Sequence, residues 1–217
     1  MNTVSASRAE GAAAAPARGI LVWDAPVRVF HWLLVLCFAG AWLTSESERW
    51  QLVHVTLGYT VMGLVAFRLL WGLVGPRYAR FSNFVRGPSA VGRYVGSLLQ
   101  GRPEHHTGHN PAGALAILGL LALAAFVTAT GWATYNELGG HALEELHEGL
   151  ASTMLGLAIA HVGGVVVGSW AHRENLVAAM ITGRKAGTPE EAIARPWRGI
   201  AALIFVAVLG FWWWQTL

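Results

Sequence analysis

The sequence predicts an all-α integral membrane protein, a four-helix transmembrane bundle with a fifth transmembrane helix at its C-terminus. Three observations predict it. Of 217 residues, 54% are hydrophobic and only 12% are charged. The apolar residues gather into five segments, Val27–Thr44, Leu52–Val74, Pro111–Tyr135, His147–Trp170 and Trp197–Leu217. Each is near the roughly 20 residues that span hydrocarbon, longer than most soluble core helices. The basic residues, finally, are confined to alternate connections, as the positive-inside rule requires of a multi-pass chain.

The elements follow in order. Residues 1–19 are rich in Ala, Ser and Arg, include Pro16 and hold no bulky apolar run that could form a signal-peptide core, so they are expected to be a disordered cytoplasmic tail. The membrane domain is expected over residues 20–185. Asp24 with Pro26 marks the start of the first helix, and Asn110 with Pro111 marks the third, each a capping side chain beside a proline pre-set for a first turn. Between Pro88 and Gly101, Ala90, Val91, Tyr94, Val95, Leu98 and Leu99 recur at helical spacing with Arg93 on another face, which predicts an interfacial amphipathic helix over 89–100. The fourth segment follows a Gly139–Gly140 loop carrying His141, and the fifth follows a basic connection.

Charge sets the orientation. Arg8, Arg18 and Arg28 flank the start of the first helix. Arg77, Arg80, Arg86, Arg93 and Arg102 fill the loop after the second, and Arg173, Arg184, Lys185, Arg195 and Arg198 the loop after the fourth. The two remaining loops carry only Arg49. The N-terminus and both long loops are therefore expected in the cytoplasm and the C-terminus outside. Trp42, Trp50, Trp132, Tyr135 and Trp212–Trp214 then fall at outer helix ends, where aromatic rings favour the interface. Glu46, Glu48, Glu137, Glu144, Glu145 and Glu148 make that face acidic. The net charge of +3 is thus a topological asymmetry rather than a nucleic-acid signal.

Ionisable side chains at membrane depth are costly and usually kept for a ligand or pathway. His147 and His161 lie fourteen residues apart on one helix, which is about 21 Å along the axis and about 40° short of four whole turns. They face nearly the same way at opposite depths. His54 opens the second helix and can meet His147 near the outer surface, while His31 lies about a turn into the first helix and can meet His161 toward the cytoplasm. Counted from these boundaries, His161 is about 14 Å and His31 about 6 Å from its cytoplasmic end, so tilt or a shifted boundary has to absorb the difference. Two imidazoles saturate a haem iron, whereas bare zinc or copper calls for more ligands in one small shell. Cys37 is the only cysteine, which excludes an internal disulfide and a Cys-x-x-Cys-His attachment, so two non-covalent b haems are expected.

The other histidines carry plainer readings. His105, His106 and His109 lie in a polar loop and are read as solvated. His141 is the rival to His147 as outer ligand, and His172 is placed past the fourth helix with a propionate contact or solvation as its role. Arg68, fourteen residues after His54, is a candidate partner for a haem propionate, against an interfacial arginine that snorkels. Gly58, one turn after His54, admits either a porphyrin face or a packed helix, as do Gly63, Gly156, Gly164 and Gly168.

Trp23-Asp24-Ala25-Pro26-Val27-Arg28-Val29-Phe30-His31-Trp32, His54 with Gly58, Arg68-Leu69-Leu70-Trp71-Gly72, Gly75-Pro76-Arg77-Tyr78, Gly108-His109-Asn110-Pro111, and His147-Glu148 followed by His161 together resemble the bacterial cytochrome b561 family, which includes the cytochrome b subunits of nickel–iron hydrogenases. The resemblance runs from about Trp23 to about Lys185. It implies a four-helix bundle holding two b haems that exchanges electrons with the membrane quinone pool, with His31, His54, His147 and His161 as ligands. The segment Trp197–Leu217 lies outside that pattern.

The leading expectation is a di-haem electron-transfer subunit of the bacterial inner membrane, working between quinone and a redox partner at the outer, periplasmic face, such as a hydrogenase or c-type cytochrome subunit. A self-contained superoxide:quinone oxidoreductase is the alternative, disfavoured because an acidic face repels an anionic substrate. A haem-free channel or assembly protein is disfavoured by the matched histidine depths.

Overall fold

The computed structural model describes residues 18–216. Five helices are long and apolar enough to cross a membrane: α1 (Ala25–Thr44), α2 (Gln51–Val74), α5 (Pro111–Tyr135), α6 (Gly140–His172) and α8 (Arg198–Gln215). Three shorter helices, α3 (Phe81–Phe84), α4 (Pro88–Leu99) and α7 (Leu176–Thr182), belong to the two long connections. A two-stranded antiparallel sheet pairs β1 (Arg18–Leu21) with β2 (Arg184–Gly187), Arg18 opposite Gly187 and Leu21 opposite Arg184.

The capping residues do what their chemistry dictates. Asp24 Oδ1 accepts the Val27 N–H at 2.8 Å and Asn110 Oδ1 accepts the Gly113 N–H at 2.7 Å, each opening a helix with a proline in its first turn. Asp24 is almost fully buried, and its other oxygen accepts the Trp71 Nε1–H at 3.3 Å, tying α1 to α2. Burial raises its carboxyl above the usual range, offset in part by the bonds from Val27 and Trp71.

The bundle is built from α1, α2, α5 and α6. α6 lies along α5, α5 along α2, and α2 along α1. Two apolar clusters fill it: Phe30, Leu33, Leu64, Leu121 and Val208 in one, and Cys37, Val61, Val65, Ala124 and Met154 in the other. Among the described residues α1 and α6 make no extensive contact, although each carries one of the expected inner ligands. Val208 belongs to α8, which packs on α1 and reaches α2 through a Trp212 Nε1–H bond to Thr60 Oγ1 of 2.9 Å. Trp212 is thus half-buried and turned inward, unlike the exposed Trp213 and Trp214.

Four expectations need correction. Arg18 and Gly19 are not tail but the start of β1, while the rest of the expected tail lies outside the described residues. The fourth spanning helix begins at Gly140 rather than His147, so His141 sits in its first turn, exposed and within 3.4 Å of Glu144 and of Glu145. The Gly139–Gly140 pair, both at positive φ, forms the N-terminal turn and not a long loop. The same helix runs on through His172, so that residue ends α6 instead of following it.

This 33-residue helix is about 50 Å long, well beyond the roughly 30 Å of hydrocarbon. After His172 the chain reverses, and α7 returns toward α1: Arg28 Nη1 donates to the Thr182 carbonyl at 2.8 Å and Trp32 Nε1 to the Met180 carbonyl at 3.4 Å. α7 and the sheet thus form a cap at the start of α1, where the Val22 and Trp23 N–H groups also bond to the Gly183 carbonyl. The cap has its own core of Ile20, Val22, Trp23 and Ala179. Gly183 closes α7 at φ +81°, where a Cβ would come within 2.6 Å of the Trp23 carbonyl oxygen and of Arg28 Nη1.

Candidate functional site

The outer pair is assembled from four helices. The imidazoles of His54 on α2 and His147 on α6 stand 6.2 Å apart, centre to centre, with their planes at 85°. His54 Nδ1 lies 2.8 Å from the Ala41 carbonyl of α1, and His147 Nδ1 lies 2.9 Å from the Val127 carbonyl of α5. A carbonyl only accepts, so each Nδ1 carries the proton and each Nε2 keeps its lone pair. The Ala41 carbonyl receives no bond from the Ser45 N–H, which turns to Trp42 where the chain tightens at the end of α1, and besides His54 it accepts the Thr44 hydroxyl at 3.2 Å. With about 2 Å for each metal–nitrogen bond, two imidazoles facing across one metal are about 6 Å apart between centres. The observed separation matches that.

Gly131 makes this arrangement sterically possible. A Cβ built there would stand 2.7 Å from His147 Cε1 and 3.1 Å from Nδ1, inside ordinary van der Waals contact. The ring can approach α5 only because this residue has no side chain. Gly58 and Gly63, by contrast, have nothing within 4 Å of a built Cβ, as do Gly156 and Gly164, so close helix packing does not account for them. Gly168 alone of that set is near a neighbour, at 3.2 Å from Leu176 Cδ1.

Toward the other end of the bundle, His31 on α1 and His161 on α6 are half-buried and close enough for their charges to interact. His31 Nδ1 is buried without a hydrogen-bond partner. Arg68 is 2% exposed, which rules out the snorkelling alternative. Its guanidinium lies 4.8 Å above the Phe81 ring, and its Nη1 also lacks a partner. Buried polar groups are nearly always paired, so orphaned nitrogens on two helices mark a place that fits a large polar-edged group such as haem.

The loop histidines divide. His105 is exposed, in keeping with a solvated reading. His106 is half-buried, with Nε2 3.6 Å from Glu104, and its imidazole is held below the usual range by burial and by Arg86. His109 is not solvated: its ring lies 4.5 Å from both Trp23 and Phe84, between them in the chain of contacts, and its Nδ1 has no partner. Burial pushes it down to about 3, with Arg68, Lys185 and His161 adding positive charge nearby. His172 Nε2 lies 3.1 Å from the Tyr94 hydroxyl, so it is engaged by the amphipathic α4 rather than left to water.

Comparison with known proteins decides the family. The prokaryotic cytochrome b561 family profile matches residues 22–183. The chain belongs to that family. It is therefore a multi-pass membrane cytochrome of the b type, and the family's four-helix di-haem bundle corresponds to α1, α2, α5 and α6. A probable Ni/Fe-hydrogenase 1 B-type cytochrome subunit of Escherichia coli (strain K12) is 30% identical over 148 residues, covering 56% of this chain and 63% of its own. The chain thus spans less than two thirds of that relative. A probable Ni/Fe-hydrogenase B-type cytochrome subunit of Rhodobacter capsulatus is 26% identical over 214 residues, covering 76% and 81%. A protein of the same description from Rhizobium leguminosarum bv. viciae is 27% identical over 163 residues, covering 62% and 67%. No solved structure matches. Sequence reasoning missed Gly131 and misjudged His109, although the latter stands in the Gly-His-Asn-Pro run that carried part of the resemblance.

Proposed function

We propose that this cytochrome holds two b haems and passes electrons across the membrane between the quinone pool and a redox partner at the outer face. The observation that carries the reading is the His54–His147 pair, 6.2 Å apart with both Nδ1 atoms committed to carbonyls. In this reading His54 and His147 would hold the outer haem and His31 and His161 the inner one. When bound, haem supplies the one-electron redox chemistry. The chain supplies the rest. Ala41 and Val127 fix the tautomer and direction of the outer imidazoles and raise their basicity as ligands. Arg68 offers buried positive charge near the cytoplasmic end, and the apolar clusters keep water from the path.

The N-terminus is read as cytoplasmic and the C-terminus as periplasmic, in the bacterial inner membrane. The relatives are described as hydrogenase subunits, which favours a hydrogenase-type partner docking outside. Glu46, Glu48, Glu137, Glu144, Glu145 and Glu148 are all exposed, and they suit a basic protein surface better than a small anion such as superoxide.

The test is pyridine haemochrome quantitation of detergent-purified protein, followed by anaerobic addition of a short-chain quinol. Two haems per chain, both reduced by quinol, is the expected result. A ratio near one, or haems that quinol leaves oxidised, overturns the proposal.

A further inference from the structure

Two buried nitrogens on different elements, close enough for their charges to interact, have no hydrogen-bond partner. Arg68 comes from the C-terminal third of α2 and His109 from the loop ahead of α5. Arg68 Nη1 and His109 Nδ1 both lack partners. Their surroundings are continuous: the Arg68 guanidinium rests on Phe81 at 4.8 Å, Phe81 meets Phe84 at 5.7 Å, and Phe84 meets the His109 ring at 4.5 Å. His109 also feels the charges of Arg68 and of His161, an expected inner ligand.

Asp24, the carboxylate whose charge reaches Arg68, accepts hydrogen bonds from the Val27 N–H and the Trp71 indole and not from the guanidinium, and Glu174 holds Lys185 at 3.1 Å. A buried guanidinium without a hydrogen-bonded anion is strongly unfavourable, and an aromatic-clamped imidazole beside it adds a second fixed donor. Such a pair is suited to one carboxylate, held by charge-assisted bonds.

We propose that Arg68 and His109 together seat a propionate carboxylate of the inner haem, with Trp23 and Phe84 clamping the imidazole so that its N–H is pre-aimed. This rests on the di-haem reading above and assigns His109 a binding role. It also gives the Gly-His-Asn-Pro run a division of labour, in which Gly108 admits Tyr78, whose ring a Cβ there would meet at 2.6 Å. Asn110 caps α5, and His109 reaches the haem edge.

The experiment measures transfer of haem from purified holoprotein to a haem-scavenging apoprotein, together with midpoint potentials from spectroelectrochemical titration. It uses two backgrounds: His147→Ala, which retains only the inner haem, and His161→Ala, which retains only the outer. His109→Phe keeps the ring packing and removes the N–H, Arg68→Gln removes the charge, and His109→Gln restores a donor. In the first background His109→Phe and Arg68→Gln are expected to speed haem loss about tenfold or more, the scale of one charged hydrogen bond. Both should move the inner midpoint in the negative direction, because positive charge and donors favour the reduced centre. His109→Gln should recover part of both effects, and the outer haem should not respond. Unchanged inner haem loss overturns the proposal, and so does equal loss from both backgrounds, which marks a structural role. If the unaltered chain carries fewer than two haems, the di-haem reading itself fails, and the stoichiometry reports that separately.

Discussion

Gly131→Ala isolates the support of the outer histidine from the histidine itself. The added Cβ would lie 2.7 Å from His147 Cε1 and 3.1 Å from Nδ1, against about 3.5–4.0 Å for ordinary contact, so the ring has to retreat by about 1 Å. The Nδ1 bond to the Val127 carbonyl is 2.9 Å now, and a retreat of that size takes it beyond the roughly 2.7–3.2 Å over which such bonds are sound. Losing an outer-shell partner of a metal-bound histidine typically costs about 10–100-fold in affinity, or about 1.4–2.8 kcal/mol at 1.4 kcal/mol per factor of ten. Helix propensity acts the other way, since alanine is favoured over glycine within a helix by about 1 kcal/mol, so a loss cannot be charged to the backbone. Gly149→Ala is the matched control, because a Cβ there meets nothing within 4 Å. Haem transfer to a scavenging apoprotein, followed in the optical spectrum, should show one of two haems leaving about 10–100 times faster in Gly131→Ala and neither leaving faster in Gly149→Ala. Equal retention in the two variants would refute the argument that this glycine positions the outer ligand.

Four further outcomes are expected. His54→Ala and His147→Ala should each remove the same haem, and His31→Ala and His161→Ala the other; optical and paramagnetic spectra of the four variants check the pairing, and His141→Ala should leave both haems in place. Asp24→Ala removes a cap, about 1 kcal/mol, and strands the buried Trp71 indole N–H, about 1–3 kcal/mol, so thermal unfolding in detergent should show a loss of about 2–4 kcal/mol, with Asp24→Asn falling in between. Reporters active on one side of the membrane, fused after Lys185 and after Leu217, should give opposite signals, and reduction of a basic soluble cytochrome should slow with salt and when Glu144, Glu145 and Glu148 become Gln, because screening shortens to about 8 Å at physiological ionic strength.

Long-period features were readable from the chain because they depend on few variables. Segment length and the caps at Asp24 and Asn110 follow from hydrocarbon thickness and from backbone N–H groups that need acceptors, and both caps are present in the structure. Fourteen residues on one helix fix a rotation and a rise with no knowledge of neighbours, so the common face of His147 and His161 needed only the helical repeat. What failed depended on where the chain goes next. The charged first turns of α6, with His141, Glu144 and Glu145, read as loop because hydropathy stops at the membrane edge while hydrogen bonding does not. The sheet of β1 and β2 pairs segments far apart in the chain, each too short for a periodic signal. His109 shows the limit most clearly. Between Gly108 and Asn110, in a stretch with two other histidines, its polarity argued for water. It is half-buried, with Nδ1 fully so, because Trp23, which follows β1, and Phe84, delivered by α3, pack against its ring. A loop histidine acquires chemistry from the elements that cover it, and here those elements were the short ones that the sequence reading had passed over.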